Sequence, residues 1–455
     1  MPRLPPSLFR RAALISPYLA TLLPACRTVA SARSELRWIR GHVLDSVSRS
    51  GDPSMSNPHL GGRRKTRARA RARTQVRLAR MRSEPGRGGL DAAADAEDRI
   101  ARLVARRGAG EPLQYVLGTQ PFADLEVLCE KGVLIPRAET EAWASALADL
   151  LLSSSSPSPE KKEKRREFRI LDLCSGTGCI ALSLYARMIA SRTRRRGGGD
   201  HNTYPDTDPD QDPDKRGTDA AAGVRVFGFD IEPRAIRLAR RNLARNFPPA
   251  QDQGHENEHD GAVSFHQADI FTSAWMAHID ERQDRDWDRD RERKIDVLVS
   301  NPPYISQDGF ARSTGRSVRN HEPKLALVPS PRAPGGKSHA PEDVFYARLL
   351  DIADALRPRV AVFEVGDMEQ ATRVAEMAMD GAGSGSGSRR WGVVEIWRDW
   401  PDCRPSEGEE DVVRLCGRNI PVRGSGHGRA VFLLEGEMVP SRLANRGFRR
   451  DVYTD

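Results

Sequence analysis

Between stretches of polar, low-complexity chain, short runs of consecutive apolar residues alternate with segments whose apolar positions recur every three or four residues. FRILDL (168–173), VRVFGFD (224–230), VSFHQAD (263–269), IDVLVSNPP (295–303) and RVAVFEVG (359–366) each read as a strand. The helix-spaced segments CIALSLYARMIA (179–190), PRAIRLARRNLARN (233–246), VFYARLLDIADAL (344–356) and MEQATRVAEMAM (368–379) fall between and after them. Strands apolar at every position suit a sheet covered on both faces, and repeated βα units build it parallel. WGVVEIWRDW (391–400) and HGRAVFLLEG (427–436) come last without a long helix between them, which predicts an antiparallel pair. The expected fold is therefore α/β, a seven-stranded, doubly wound, mostly parallel Rossmann-like sheet, with ligands at the carboxyl ends of its strands.

Upstream the pattern changes. SARSELRWIRGHVLDSV (31–47) and AEDRIARLVARR (96–107) have helical spacing, while 114–136 alternates like a hairpin with turns at Pro121 to Asp124 and at Lys131-Gly132. The expected organisation is a helical domain over 31–110, a hairpin connector over 111–140, a sheet domain over 141–438 and a tail over 439–455. Five polar blocks (153–167, 192–217, 250–261, 280–294, 381–390) interrupt the sheet domain. They are too polar to repay the entropy of ordering them, and surface loops tolerate such additions cheaply.

Charge sharpens this picture. The 455-residue chain carries a formal +9, but residues 1–34 hold five arginines and no acid, and Arg63 to Arg82 hold ten basic residues and no acid. These segments together carry +15, so the rest of the chain is net −6 and is not basic. The Arg, Ser and Ala-rich start, acid-free until Glu35, has the composition of a mitochondrial transit peptide over 1–30. A secretory signal and a plain N-terminal helix are the competing readings. The apolar stretch Ala12 to Cys26 is too short to span a bilayer and contains Pro17 and Pro24, so no membrane association is expected. The six scattered cysteines form no CxxC pair and no zinc-like cluster with histidine, so neither a disulfide framework nor a metal is expected. The basic run 61–82 reads either as a solvated arm or as a contact for ribosome or RNA, whose strength would fall steeply with salt.

Chemistry-bearing residues gather at predicted strand ends. DLCSGTGC (172–179) closes the first strand and opens a helix, and its glycines let a ligand approach the backbone closely. Its D-x-x-x-G-x-G spacing lacks the third glycine of the dinucleotide fingerprint. Asp230 ends the second strand, where an acid can accept from ribose hydroxyls, and Asp269 ends the third, placed to accept from an adenine amino group. Either aspartate alone is equally a turn residue. The fourth strand ends in Asn301-Pro302-Pro303-Tyr304. Adjacent prolines remove two donors and stiffen the chain, leaving the Pro302 carbonyl and the Asn301 side-chain oxygen as fixed acceptors for a planar NH2 group, over which Tyr304 can close. An amide or aromatic amine is a poor nucleophile, and holding both hydrogens aims its nitrogen at an electrophile.

With these motifs in place the chain resembles the class I S-adenosylmethionine-dependent methyltransferases, and within them the HemK or PrmC type of peptide chain release factor N5-glutamine methyltransferase. Four stretches carry the resemblance: 111–141, ILDLCSGTGCIALSL (170–184), VLVSNPPYIS (297–306), and HEPKLALV (321–328) followed by FEVG (363–366). The resemblance implies an enzyme that moves a methyl group from S-adenosyl-L-methionine to the side-chain amide of the Gln in a release factor's Gly-Gly-Gln loop. It implies cofactor contacts at Asp172, Cys174, Ser175, Gly176, Thr177, Gly178, Asp230, Asp269, Ile270 and Asn301, a substrate grip at Asn301 to Tyr304, and site-shaping roles for Arg137, Glu141 and Glu322. Many members have glycine where Cys174 stands, which touches the approach of the cofactor's methionine part. The helical region would dock the release factor. A monomer in the mitochondrial matrix, acting on an organellar release factor, is the implied setting. Two other readings remain open: an N6-adenine DNA or RNA methyltransferase sharing the Asn-Pro-Pro-Tyr motif, and a degenerate, non-catalytic cofactor-binding protein.

Overall fold

The computed structural model describes residues 4–50, 87–154, 167–196, 223–248, 261–279, 295–330, 340–380 and 391–435. The basic run 63–82, most of the polar blocks and the tail from 439 lie outside these residues. The chain divides into two compact units, Met1–Thr119 and Gln120–Asp455.

The first unit is helical: α1 (Pro6–Ile15), α2 (Pro17–Cys26), α3 (Val29–Ser50), α4 (Arg87–Gly108) and the short α5 (Leu113–Leu117). Proline at the first helical position opens α1 and α2, where its missing N–H would have no partner anyway. Leu19, Leu22 and Leu23 of α2 are buried with Ile39 and Val43 of α3 and Ile100 and Val104 of α4. Arg107 is paired with Glu35 at 2.6 Å, and Tyr18 donates to Glu97 at 2.8 Å. The stretch expected as an import segment thus supplies part of this unit's apolar core. No helix among the described residues is long and apolar enough to cross a membrane.

The hairpin expected over 114–136 is confined to β1 (Thr119–Phe122) and β2 (Leu125–Leu128). Residues 113–117 instead close as α5, which ends where Gly118 turns left-handed. Helix α6 (Ala138–Ser154) then leads into the sheet, formed by β3 (Phe168–Leu173), β4 (Val224–Asp230), β5 (Val263–Gln267), β6 (Val297–Ser300), β7 (Val360–Glu364), β8 (Trp391–Trp400), β9 (Val412–Leu415), β10 (Arg418–Arg423) and β11 (Ser425–Glu435). Their order is β5-β4-β3-β6-β7-β11-β8-β10-β9. Strands β5 to β7 pair in parallel, and β11 lies antiparallel between β7 and β8. These are the seven strands the pattern predicts, with the hairpin β9–β10 added at the edge. That hairpin turns on Cys416 and Gly417, both at positive φ, the two-residue turn that matches strand twist.

Alternate residues of the central strands feed two cores. Ile170, Val226, Val299 and Val362 pack under Trp143 and Leu147 of α6, Leu182 and Tyr185 of α7 (Cys179–Arg196), and Ile236 of α8 (Pro233–Asn246). Leu171, Phe227, Leu298 and Phe363 meet Leu349 and Ile352 of α11 (Val344–Leu356) and Val374 of α12 (Met368–Asp380). The short α9 (Gln307–Arg312) and α10 (Arg316–His321) follow β6. The chain winds from β3 outward through β4 and β5, then returns to place β6 on the other side of β3. Such a reversal opens a crevice at the carboxyl ends of the two strands.

Asn242 of α8 joins three elements. Its Oδ1 accepts from Leu128 N at 2.7 Å and its Nδ2 donates to Thr177 O at 2.9 Å. The side chain is fully buried, so Asn242→Ala leaves a buried donor and acceptor unpaired and should cost about 3 kcal/mol. Chemical denaturation followed by tryptophan fluorescence should show the midpoint falling with an unchanged slope.

Candidate active site

The loop after β3 is wound tightly against its neighbours. Ser175 N donates to Phe229 O, Gly176 N to Asp230 Oδ2 and Gly178 N to Ser175 O, all within 2.9 Å. Gly178 has φ +77, and a Cβ there would stand 2.7 Å from the ring of Phe265. Glycine is therefore required both by the backbone and by the packing. Cys174 is at φ 62, an uncommon conformation for a residue with a side chain. Its thiol is pushed well up by burial and by Asp230.

Asp172 lies at the floor of this loop with no exposed surface. Its Oδ2 accepts from Ala181 N at 3.2 Å, while Oδ1 has no partner. Burial raises its carboxyl to about 8, against the hydrogen bond from Ala181, with nearby Asp230 adding to the rise. Ser175 Oγ is also buried without a partner. Buried polar atoms normally have partners, so orphaned ones under a Gly-rich loop point to a ligand with a donor, a cationic one above all for the carboxyl.

The next two strands carry their acids as the pattern predicts. Asp230 accepts from Gly176 N and from Glu232 N, each at 2.9 Å, and burial raises its carboxyl despite both bonds. Asp269 accepts from Phe271 N at 3.0 Å. Both line one cavity of about 340 Å³ with Cys174, Ser175, Gly176, Thr177, Ile270, Asn301 and Pro303. That size falls at the lower end of ligand clefts, roughly 300–1,000 Å³. Asp172, Gly178, Pro302 and Tyr304 do not line it.

A second pair of segments adds to the cavity wall. Glu322, nearly buried, accepts from Ile135 N at 3.1 Å and from Arg137 Nη2 at 2.7 Å. This clamps the segment after α10 onto the segment before α6, and Pro136, Arg137, Pro323 and Leu325 line the cavity. Glu141 sits one turn into α6, outside the lining. Ile231 and Leu325, about half exposed, give the cavity an apolar rim.

Around Asn301 the structure gathers Thr140 and Glu364, from stretches that carry the resemblance but were given no site role, with Trp143 and Gln370. Asn301 Nδ2 donates to Thr140 Oγ1 at 3.5 Å, and Thr140 donates to Glu364 Oε2 at 2.6 Å. Trp143 Nε1 reaches the same oxygen at 2.8 Å, and Tyr304 OH reaches Oε1 at 3.3 Å. Glu364 ends β7 with 1% exposure, and burial raises its carboxyl. Gln370 donates to Tyr304 O at 3.2 Å and accepts from Gly366 N at 2.8 Å, fastening the loop after β6 to the one after β7. Thr140 and Trp143 stand three residues apart on α6 and so share a face. A threonine and a tryptophan at that spacing in an apolar helix were the available signal. Among the described residues no cluster of His, Cys, Asp and Glu could hold a metal ion.

No family model matches the chain. It is 28% identical over 288 residues to a protein of Schizosaccharomyces pombe named probable MRF1 mitochondrial N(5)-glutamine methyltransferase, spanning 62% of this chain and 72% of that one. The mitochondrial MRF1 N(5)-glutamine methyltransferase of Saccharomyces cerevisiae is 26% identical over 328 residues, spanning 72% of this chain and 68% of that one. A release factor glutamine methyltransferase of Agrobacterium fabrum is 30% identical over 233 residues, 51% and 57% of the two chains. Among solved structures, an S-adenosylmethionine-dependent methyltransferase of Agrobacterium tumefaciens overlays with a TM-score of 0.33 at 13% identity, covering 70% of each chain. By sequence the chain is similar to proteins named release factor or mitochondrial MRF1 N(5)-glutamine methyltransferase, and its described fold is α/β with a mostly parallel central sheet.

Proposed function

We propose that this protein methylates the side-chain amide of a glutamine in the Gly-Gly-Gln loop of a peptide chain release factor, in the mitochondrial matrix, using S-adenosyl-L-methionine. The observation that carries the reading is that Asn301 lines the same cavity as Cys174 to Thr177 of the Gly-rich loop. The relatives' names point to glutamine in release factors and, for the two yeasts, to mitochondria. Nothing in the site favours adenine as the acceptor instead.

The residues fit the cofactor. Asp230 is suited to its ribose hydroxyls and Asp269 and Ile270 to its adenine, all three lining the cavity, and the partnerless Asp172 Oδ1, buried behind the lining, would meet its ammonium group once the loop gives way. When bound, S-adenosylmethionine would supply a methyl group from its sulfonium, the electrons of the broken C–S bond staying on sulfur so that neutral S-adenosylhomocysteine leaves. The chain's own residues prepare the nucleophile. Asn301 Oδ1 and the Pro302 carbonyl hold the two amide hydrogens and steady the positive charge that grows on nitrogen as its lone pair moves to carbon. The nitrogen then loses one proton to solvent. The apolar rim of Ile231 and Leu325 shields the transfer from water.

Three outcomes test this reading. With labelled cofactor, a mitochondrial release factor should take up label and its Gln-to-Ala variant in the Gly-Gly-Gln loop should not; equal labelling would overturn the proposal. Asn301→Ala should lower kcat by at least about 100-fold with cofactor affinity within a few-fold, since the loss falls on the transition state.

The second outcome concerns pH. Folding lifts the Asp172 carboxyl from 3.8 to about 8, so the apo protein loses stability as pH climbs through that window. A bound ammonium favours the carboxylate, so binding releases a proton below about pH 8. Cofactor affinity, measured by calorimetry, should rise by up to about tenfold per pH unit toward pH 8 and then level off. Asp172→Asn should bind weakly and with a flat profile.

The third concerns the basic run 63–82, which we assign to the ribosome or its RNA, with the enzyme itself monomeric. Deleting 61–82 should slow methylation of ribosome-associated release factor at low salt and leave the free factor's rate unchanged. Identical rates on both at every salt concentration would remove the assignment.

A further inference from the structure

The carboxamide of Asn301 has two faces of opposite character, and only one is useful. With Oδ1 toward the cavity it accepts a hydrogen of the substrate amide; with Nδ2 there it opposes donor to donor. Which face points inward is decided by its neighbours. Trp143 Nε1 can only donate, so the Glu364 oxygen it meets, Oε2, must accept. The same oxygen lies 2.6 Å from Thr140 Oγ1, and the single hydroxyl proton of Thr140 is thereby committed to it. Thr140 is left with lone pairs only, and the group facing it from Asn301, 3.5 Å away, must be the NH2. The oxygen then faces the cavity.

We infer that Glu364, acting through Thr140, sets the polarity of the Asn301 side-chain amide so that its oxygen and not its nitrogen meets the substrate. This rests on the proposed function, in which Asn301 accepts from a glutamine amide. Glu364 and Thr140 are positioning residues, and Trp143 is the fixed donor that gives the relay its direction. The second oxygen of Glu364 serves Tyr304, so the same carboxylate holds both ends of the Asn-Pro-Pro-Tyr loop. Burial raises the Glu364 carboxyl, and the hydrogen bonds from Thr140 and Trp143 and the charge of Arg429 act against that rise.

Thr140→Val keeps the shape and removes both the proton and the lone pairs. It should lower kcat for release factor methylation about 10- to 100-fold, with cofactor affinity within about twofold and a lowered but still cooperative denaturation midpoint. Thr140→Ser restores the relay and should return kcat to within about threefold of wild type. Glu364→Gln can still turn its oxygen toward Trp143 and Thr140, so it should be much less impaired than Glu364→Leu. A Thr140→Val enzyme with wild-type kcat would overturn the inference, as would a Thr140→Ser enzyme no better than Thr140→Val. Should Glu364→Leu fail to fold, the Thr140 pair decides alone. A wild-type enzyme that leaves the glutamine unlabelled would instead overturn the proposed function, which separates the two failures.

Discussion

A carboxylate removed from water costs several kcal/mol unless its oxygens are met by donors. Glu364 is met by three, from Thr140, Trp143 and Tyr304, and the elements that deliver them are the ones that shape the substrate side of the cavity. Helix α6 is held at the end of β7 by two side chains on one face. The loop after β6 is held there by Tyr304 and, from the other side, by Gln370. Strand β7 can carry a buried acid because its neighbours bring the donors, and those neighbours are placed because the acid is there. Removing one partner strands the others, so the sites of this network should not behave additively.

Asp172 is the counterpart with the opposite design. It too is fully buried at a strand end, yet one of its oxygens has no partner. Where Glu364 is complete within the protein, Asp172 is complete only with something added. The two acids thus differ in how far the protein itself satisfies them: both oxygens of Glu364 are met by side chains, and only one of Asp172 has a partner. Asp230 lies between these cases, already accepting from two backbone amides but still bordering the cavity.

The sequence was most legible where a function needs a fixed backbone. Strands β3 and β8 and helices α8 and α11 fall on the residues their periodicity predicts, and the Gly-rich and Pro-Pro segments fall on adjacent strand ends because glycine and proline constrain the chain by themselves. Thr140, Glu364 and Gln370 were not singled out as a site. Glu364 is a single acid closing an apolar strand, while Thr140 and Gln370 stand among other polar residues of their helices, and the meaning of each comes from partners 60 to 224 residues away. The β9–β10 hairpin was missed because its turn is Cys416-Gly417 rather than the usual Asn-Gly or Asp-Gly pair. Helices α1 and α2 were obscured by composition, since arginine and alanine serve an import signal and an amphipathic helix equally well.

The placement of the polar blocks has a further consequence. The blocks at 153–167, 192–217, 250–261, 280–294 and 381–390 precede β3, β4, β5, β6 and β8 in sequence, and these strands run in one direction, so each is entered from the same, amino-terminal edge of the sheet. The site is built at the other edge, from short turns such as Cys174 to Gly178 and Ile231 to Glu232. The two edges are therefore free to change under separate pressures. Length and charge can drift at one rim of the sheet while the spacing of reacting groups at the other stays fixed, which makes the amino-terminal rim the natural place to graft a label or an affinity handle.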